Sequence, residues 1–299
     1  MQPLFNEHSN IMETIRQDEN LVVFSSLSEF YHPVKSTGFS IKYVVEGVEN
    51  YTLNGQKFRV NTGQYLLSNM TNEGQVEIES TKNVNGICMS ISPKILTEVV
   101  ASFQRPDTAI SDLSLGEFFT TNRFLEAQYD AKSTNLGKVL RDLALNTQND
   151  FTSKDDFGQA FFYQLSEQII ADQIPIFKQL QAIPSIKSST KKDLFKRVHA
   201  GKEHIENYFS LPLTIEKIAK ESCMSEYHFF RLFRSVFGIS PNQFIIQKRL
   251  EHGQQILKQD RYSISDAATQ AGFSDVFTFS KAFKKYFGYS PSGQSRESI

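Results

Sequence analysis

Cysteine is scarce in this sequence, whose 299 residues include two, Cys88 and Cys223. Two thiols that fall in different predicted domains supply neither a disulfide framework nor a cysteine-based zinc site. Paired histidines are also missing, because no His-x-His motif occurs and the strand-rich N-terminal region contains only His32. A metal-dependent barrel enzyme needs such histidines with a carboxylate. Nucleophile–base motifs are absent too. We therefore expect that the protein binds no metal and no cofactor, has no catalytic residues and is not an enzyme.

Long apolar runs are absent as well, since no stretch of eighteen or more consecutive apolar residues occurs. A helix that spans a bilayer needs about twenty. The first residues also lack the charged start, apolar centre and small-residue cleavage site of a signal peptide. We therefore expect a soluble, cytoplasmic protein with no membrane partner.

Charge is unevenly distributed along the chain, although the whole chain has a net charge of only −1. Residues 190–299 contain 17 lysines and arginines against 11 aspartates and glutamates, a net charge of +6, and the remainder has −7. This asymmetry indicates a basic nucleic-acid-binding domain attached to an acidic sensor or assembly domain.

The first third of the chain has the rhythm of short β-strands. Residues 39–45 alternate Phe39, Ile41, Tyr43 and Val45 with smaller or polar residues. Asn54-Gly55 lies between two further runs and predicts a two-residue hairpin, since both of its positions need positive φ. Many short antiparallel strands predict a small barrel or jelly roll. Residues 1–20 are polar and predict a loose arm, either a disordered tail or a segment that folds over an effector.

Four aromatic residues of this region are candidates for an effector pocket. If they point inward, they either line a small-molecule site or fill the core. They are Tyr43, Tyr51, Phe58 and Tyr65.

The middle of the chain changes to a helical period. Between about residues 112 and 182, the sets Leu136/Val139/Leu140/Leu143 and Phe161/Phe162/Leu165/Ile169 follow helical spacing. These helices either pack within the chain or pair two subunits. We place a sensor domain at 1–110, a helical segment at 111–182, a Pro-, Ser- and Lys-containing linker at 183–192 and an all-α domain at 193–299, which opens with a helix over 193–209.

Residues 261–291 predict a short helix, a turn at Gly272 and a second helix that ends at Gly288. Phe279, Ala282 and Phe283 form an apolar stripe at i, i+3, i+4 spacing, and another face carries hydroxyl and ammonium groups. An anchored helix that presents cations outward is suited to the DNA major groove.

The same pattern occurs earlier in the chain. Phe-x-x-x-Phe-Gly-x-Ser-Pro begins at Phe233 and again at Phe283, an offset of 50 residues, whereas Ile215 and Ile264 are 49 apart. The second copy therefore has one extra residue in its turn. We predict two helix-turn-helix units, at about 213–237 and 262–287, joined by a helix from 242 to about 258.

Residues from about 195 to 293, the last third of the chain, resemble the DNA-binding domain of the AraC/XylS family of bacterial transcription regulators. The most specific part is Ala267-Ala-x-x-x-Gly272-Phe-Ser-Asp followed by Phe279-Ser-Lys-Ala-Phe283-Lys-Lys-x-Phe287-Gly-x-Ser-Pro291. The N-terminal strand rhythm resembles the cupin-like sensor domain of many such regulators. The fold class implied is α+β with two domains, a cupin-like β-barrel or jelly roll followed by helices and an all-α domain with two helix-turn-helix units.

The resemblance implies which residues contact DNA. In the first unit these are Glu226, Tyr227, Phe230 and Arg231, and Arg234 shares their face. Arg231 contacts either guanine, through its two-pronged guanidinium, or a phosphate. In the second unit they are Val276, Phe277, Ser280 and Lys281, with Lys284 and Lys285 beside them.

The second unit departs from the family pattern at two positions. Relatives usually carry polar or small residues where Val276 and Phe277 stand. Either these two contact thymine methyl groups, or the unit mainly holds the DNA backbone through Ser280, Lys281, Lys284 and Lys285. A further alternative is that Phe277 is buried in the core. The tail after Pro291 also departs and predicts a frayed end.

By resemblance, the sequence predicts a sequence-specific transcription activator that binds double-stranded DNA and contacts RNA polymerase. A homodimer is one of the two alternatives left open for its helical segment. A small molecule in the N-terminal domain would switch it. The alternative is a ligand-independent regulator whose N-terminal domain only dimerises or binds a protein partner.

Overall fold

The computed structural model describes residues 11–17, 20–35, 38–69, 72–102, 112–147, 157–185, 187–259 and 261–296. The chain divides into two compact units, Met1–Phe177 and Lys178–Ile299. Over the described part of the chain, no helix combines the length and apolar character needed to cross a bilayer.

The N-terminal unit is built on one antiparallel, barrel-like sheet. Its order is β1-β2-β7-β3-β6-β8, and β4 pairs with both β5 and β7. The long strand β7 pairs with β2 along one edge, and its other edge is shared between β4 and β3. This division bends the sheet and confirms the predicted barrel-like fold. The strands are β1 (Ile11–Gln17), β2 (Asn20–Lys35), β3 (Phe39–Glu46), β4 (Val48–Leu53), β5 (Gln56–Asn61), β6 (Gln64–Ser68), β7 (Glu73–Ile91) and β8 (Ala127–Asp130).

Local turn chemistry explains the β4–β5 hairpin. Asn54 and Gly55 have φ angles of 48° and 80°, and Leu53 pairs with Gln56 across the turn. The sequence prediction for this hairpin is confirmed, because both central residues adopt the left-handed conformation that the turn needs.

Two strands lie where the sequence does not predict them. Ile11–Gln17 pairs with β2 as an edge strand, so the prediction of a loose arm over 1–20 is wrong for these residues. Residues 1–10 and 18–19 lie outside the described residues. Ala127–Asp130 pairs with β6 inside the segment that helical periodicity assigned to helices. Four residues are too few to reveal a period of two.

The two faces of the sheet have different cores. Inside the barrel, buried apolar residues from six strands form one cluster: Leu27, Val44, Tyr51, Leu53, Phe58, Val60, Leu66, Val76, Ile78 and Val84. On the outer face, Phe39 meets Phe119 and Phe124 edge to face, with ring centres 5.8 and 5.0 Å apart. Helices therefore cover the outer face. They are α1 (Pro93–Ser102), α2 (Asp112–Thr120), α3 (Asn135–Thr147) and α4 (Gln159–Gln181).

The C-terminal unit is helical. It contains α5 (Ser188–Tyr208), α6 (Ile215–Glu221), α7 (Glu226–Phe237), α8 (Pro241–Leu257), α9 (Ile264–Gln270) and α10 (Val276–Phe287). The helix predicted from residue 193 begins five residues earlier. A short 3-10 helix, Pro291–Arg296, follows where the sequence predicted a frayed end.

End signals in the sequence set these helix bounds. α8 starts with a capping box in which Ser240 and Gln243 exchange side-chain and backbone hydrogen bonds, and Pro241 occupies its first turn. α7 and α10 both end at a glycine with positive φ, Gly238 at 76° and Gly288 at 85°. The predicted linker helix and the predicted stop at Gly288 are confirmed.

A half-buried histidine makes the stability of the C-terminal unit dependent on pH. The ring of His199 stacks on Phe195 with centres 4.1 Å apart, and its Nε2 lies 3.1 Å from the Gln179 side-chain oxygen. Burial is the main cause that lowers its pKa to about 4, with Lys202 a smaller one. The neutral ring is therefore the form that the folded unit accommodates.

We expect the free energy of unfolding to fall as the pH drops from about 6.5 towards 4. In this range His199 is protonated in the unfolded chain but stays neutral in the folded one, so protonation favours unfolding. The pKa shift corresponds to about 2–3 kcal/mol over that window. Urea denaturation between pH 4 and 7 measures it. His199→Leu should remove this component of the slope, and an unchanged slope would contradict the assignment.

Candidate nucleic-acid interface

The turns of the two helix-turn-helix units share one hydrogen-bond pattern. The amide of Met224 donates to the Ala219 carbonyl at 2.9 Å, and Phe273 donates to the Ala268 carbonyl at 3.0 Å. The residue before each donor has positive φ, Cys223 at 53° and Gly272 at 85°. The units therefore match residue by residue through the bend.

The extra residue of the second unit is Ser274. Met224 is followed at once by Ser225, the N-cap of α7, whereas Phe273 is followed by Ser274 and then by Asp275, the N-cap of α10. The insertion predicted from the change of offset is thus confirmed, and it lies after the bend.

Gly272 and Gly288 provide a matched pair for testing the turn, because both have φ of 85°. A Cβ on Gly272 would lie 2.5 Å from the Ser210 carbonyl oxygen, whereas a Cβ on Gly288 would meet nothing within 4 Å. Gly288→Ala should cost about 1 kcal/mol for its backbone conformation. Gly272→Ala should lower the free energy of unfolding by about 1–3 kcal/mol more than Gly288→Ala does, because the Ser210 backbone must move to make room. Thermal unfolding of both variants checks this, and equal costs would contradict the close approach.

Buried phenylalanines anchor α7 and α10. Phe229 and Phe233 on α7, and Phe279 and Phe283 on α10, are fully buried. The first anchor of each helix, Phe229 or Phe279, faces a glycine on the preceding long helix. A Cβ on Gly201 of α5 would lie 2.4 Å from the Phe229 ring, and a Cβ on Gly253 of α8 would lie 2.7 Å from the Phe279 ring. We call these two close contacts the glycine sockets.

The outer face of α7 carries the residues predicted to contact DNA. Glu226, Tyr227, Arg231 and Arg234 are exposed, and Phe230 is half-buried. The guanidinium carbon of Arg231 lies 5.5 Å from the centre of the Tyr227 ring, and its Nη1 donates to the Tyr227 hydroxyl at 3.4 Å. Stacking of this kind holds an exposed arginine in one orientation.

The outer face of α10 is apolar at its start and basic towards its end. Val276, Phe277, Lys281, Lys284 and Lys285 are exposed, and Ser280 is half-buried. Phe277 is 75% exposed, so the alternative in which it is buried is wrong.

One carboxylate lies at the start of α10. Asp275 caps the helix by accepting from the Thr278 amide at 2.7 Å and from the Thr278 hydroxyl at 2.8 Å. These hydrogen bonds lower the pKa of the Asp275 carboxyl. It therefore stays ionised as a cap and repels phosphates from that end of the helix, so the attractive charge of α10 is confined to its lysines.

The four aromatic effector candidates fall on different faces of the sheet. Tyr51 lines a cavity inside the barrel, and Phe58 belongs to the apolar cluster beside it. Tyr43 and Tyr65 are register partners on the outer face. There Tyr65 stacks on Tyr129 with ring centres 5.3 Å apart and donates to Thr134 at 2.8 Å. Among the four, Tyr51 alone lines that cavity.

Sequence reasoning missed Lys42 and Glu49, which also line the cavity. Lys42 is 3% exposed and Glu49 is 4% exposed. For Lys42 the available signal was its position between Ile41 and Tyr43 on β3, a strand that is buried on both sides, where a charged residue needs a partner. Glu49 gave no such signal, because the next residue of β4, Asn50, is polar and exposed.

Comparison with known proteins supports the C-terminal assignment. A model of a helix-turn-helix domain matches residues 218–296. The Msm operon regulatory protein of Streptococcus mutans is 35% identical over 100 residues, 33% of this chain and 36% of that protein. The virulence regulon transcriptional activator VirF of Yersinia enterocolitica is 37% identical over 87 residues, 29% of this chain and 32% of that protein. The chain thus spans about a third of the length of these relatives.

A solved structure, an AraC-type transcriptional regulator from Chromobacterium violaceum, is 25% identical and covers 33% of this chain and 88% of its own, with a TM-score of 0.32. The paired helices and the matched model define the class as a helix-turn-helix protein. Residues 218–296 match this helix-turn-helix domain and are similar to the DNA-binding domains of AraC-type regulators.

Proposed function

We propose that this protein is a sequence-specific DNA-binding transcription regulator that uses α7 and α10 as its two reading helices. The observation that carries the proposal is the division of each helix into a buried phenylalanine face and an exposed face with cations. Such a helix can enter the major groove without disturbing its own core.

The two helices differ in what they offer to DNA. α7 offers Arg231, oriented by Tyr227, and an oriented guanidinium matches the O6 and N7 acceptors of guanine. α10 offers Val276 and Phe277, which suit thymine methyl groups, and three lysines, which suit phosphates. We therefore propose that the first unit provides most of the sequence preference and the second provides more of the affinity.

The helix α8 determines how the two readers are spaced. It has 17 residues and is therefore about 25 Å long. Arg249 of α8 donates to the Phe209 carbonyl at 2.6 Å and to the Leu211 carbonyl at 2.9 Å, which ties α8 to the segment between α5 and α6. We propose that this bracing keeps α7 and α10 about 34 Å apart, one turn of duplex DNA.

We also propose that the protein is an activator, that it acts as a homodimer with RNA polymerase as its partner, and that a small molecule in the barrel switches it. The cavity beside Tyr51 supports the last point, and relatives named as activators support the first. A switch of this type needs an effector that binds two conformations with different affinity.

Selection of random duplexes by the full-length protein, followed by fluorescence anisotropy with the enriched sequence, tests the proposal. We expect a defined motif and an affinity that falls steeply with salt. If no motif is enriched, or if binding to the motif equals binding to scrambled DNA, the protein is not a sequence-specific regulator.

The lysines of α10 give a quantitative prediction for salt dependence. Replacing Lys281, Lys284 and Lys285 together by alanine should lower the slope of log K against log salt by roughly 2 to 3, because each phosphate contact contributes about 0.9. The preferred sequence should not change. The exposed Lys57 of β5 serves as a control for the loss of one lysine outside the interface, and Lys57→Ala should leave the slope as it is.

A further inference from the structure

The last turn of α4 belongs to the C-terminal unit rather than to the barrel. The boundary between the two units falls after Phe177, so residues 178–181 of α4 are part of the unit that contains both helix-turn-helix pairs. Leu180 is buried there, and so is Ile183, the first residue of the predicted linker. These two apolar side chains anchor residues 178–183, which we call the α4 end.

The α4 end forms a hydrogen bond with the first reading helix. Ala182 follows the last residue of α4, so its carbonyl has no amide donor within that helix. The Ser235 hydroxyl of α7 donates to this carbonyl at 2.6 Å. A serine inside a helix often bonds a carbonyl of its own preceding turn instead. Ser235 therefore uses its hydroxyl to join two segments that are 53 residues apart in the sequence.

A second contact reaches the last turn of α7 through α5. Gln179 Oε1 lies 3.1 Å from His199 Nε2. The His199 ring meets the Phe237 ring edge to face, with centres 5.0 Å apart. Phe237 is the last residue of α7, and it packs on the Phe233 anchor with ring centres 4.5 Å apart. The α4 end thus contacts α7 directly at Ser235 and, through His199, at Phe237.

The direct contact lies on the side of α7 that carries predicted DNA contacts. Tyr227, Arg231 and Ser235 follow one another at intervals of four residues, so they share one side of the helix. Rotation of α7 about its axis would move the Ser235 hydroxyl away from Ala182 and would turn Arg231 by the same angle. The hydrogen bond at Ser235 therefore restricts the direction in which the Arg231 guanidinium leaves the helix.

The second reading helix lacks this contact in the described part of the chain. Lys285 and Phe287 occupy the positions that match Ser235 and Phe237 at the offset of 50 residues. Lys285 is exposed, and among the described residues the hydrogen bonds of α10 reach no residue before Glu251 of α8. The α4 end therefore acts on the first unit and not on the second.

The helix α4 contributes to both units. Before the boundary, the ring of Phe177 lies 5.3 Å from that of Phe118 on α2. After the boundary, Gln179 contacts His199 of α5. A displacement of α4 within the N-terminal unit would therefore reach α7 through the contacts of the α4 end.

We propose that the α4 end is a positioning element for DNA recognition, which holds α7 through Ser235 and through the contact of His199 with Phe237. Sequence preference at the bases under α7 then depends on residues 178–183, which lie outside the matched helix-turn-helix domain of residues 218–296. The inference rests on the proposed reading role of α7. It adds to that role a residue, Ser235, which acts by orienting Arg231 and not by contacting a base.

Ser235→Ala in the full-length protein tests the direct contact. We expect affinity for the selected DNA to fall about two- to tenfold, the usual effect of one lost hydrogen bond. Preference should relax at the positions under α7 and stay unchanged at those under α10, which selections with Arg231→Ala and Phe277→Ala identify. Alanine is the better helix former, so lost helix stability would not explain this result. Ser235→Thr keeps the hydroxyl and should keep the preference.

The second contact has its own variant, Gln179→Ala, which should relax the same positions. The double variant Ser235→Ala, Gln179→Ala should relax them more than either single variant does. Ser189→Ala, at an exposed serine in the first turn of α5, is the matched control and should change neither affinity nor preference. Unchanged preference in the double variant would overturn the inference. An equal loss of preference under α7 and α10 would overturn it as well, because it would indicate a general loss of stability.

Amide hydrogen exchange of the DNA-free protein provides a readout that does not depend on DNA recognition. Ser235→Ala should speed exchange in α7 about threefold or more and leave α10 unchanged, because only α7 loses a contact. Faster exchange in α7 of a protein that selects no DNA motif would contradict the proposed function alone. A selected motif whose preference, like the exchange in α7, is unaffected by Ser235→Ala would contradict this inference alone.

Discussion

Phe279→Ala is expected to destabilise the second helix-turn-helix unit by about 3–5 kcal/mol and to abolish its contribution to DNA binding. Phe279 is fully buried, and its ring lies 5.2 Å from that of Phe273 and 5.4 Å from that of Phe283. Removing it empties the glycine socket at Gly253 and leaves α10 without its main anchor. Thermal unfolding would show the loss of stability, and fluorescence anisotropy with the selected DNA would show the loss of binding.

The control is Phe277→Ala, two residues away on the same helix. Phe277 is 75% exposed, so its truncation should change stability by less than about 0.5 kcal/mol. It should nevertheless weaken binding, most of all to sites with thymine under α10. Equal destabilisation by the two substitutions would contradict the assignment of inner and outer faces.

Arg231→Ala is expected to reduce affinity for the selected sequence by roughly tenfold to a hundredfold, about 1–3 kcal/mol. Arg231 is exposed and lies against the Tyr227 ring, so its removal should leave the fold intact. Affinity for scrambled DNA should change much less if the arginine reads a base. Anisotropy with both duplexes gives the two affinities.

Arg231→Lys separates the two contacts that the sequence left open. Lysine keeps the charge but lacks the two-pronged donor geometry. A guanine contact therefore predicts that lysine fails to restore preference for the selected sequence, and a phosphate contact predicts near-complete rescue. Rescue with retained sequence preference would assign Arg231 to the DNA backbone.

The C-terminal unit was predictable because its signals are local. The phenylalanine spacing, the polar residue before α7 and α10 and the glycine after each of them lie within one or two turns of the helix they define. The exposure of Phe277 was not predictable, because an apolar residue near the start of a helix fits either a core or a contact surface until the packing of neighbouring helices is known.

The barrel-like fold was predictable from the sequence, but the face of β3 that points into the barrel was not. The apolar set Phe39, Ile41 and Tyr43 suggested the inner face of β3, but the outer helices cover that face. Ser40 and Lys42, on the more polar face, point into the barrel instead. Because both faces of β3 are buried, the polarity of its residues does not show which face points into the barrel. The helices that cover the outer face follow β3 only at Pro93 and beyond.

The glycine sockets hold α7 and α10 in place through residues that are separate from their exposed side chains. Gly201 with Phe229 and Gly253 with Phe279 fix two helices of equal length from below, and none of these four residues lies on the outward faces. Outward side chains can therefore be exchanged between the two helices, or replaced, without rebuilding the mounts. If α7 and α10 read DNA as proposed, the DNA sequence that the protein recognises can change through substitutions on these outward faces while the buried contacts stay the same.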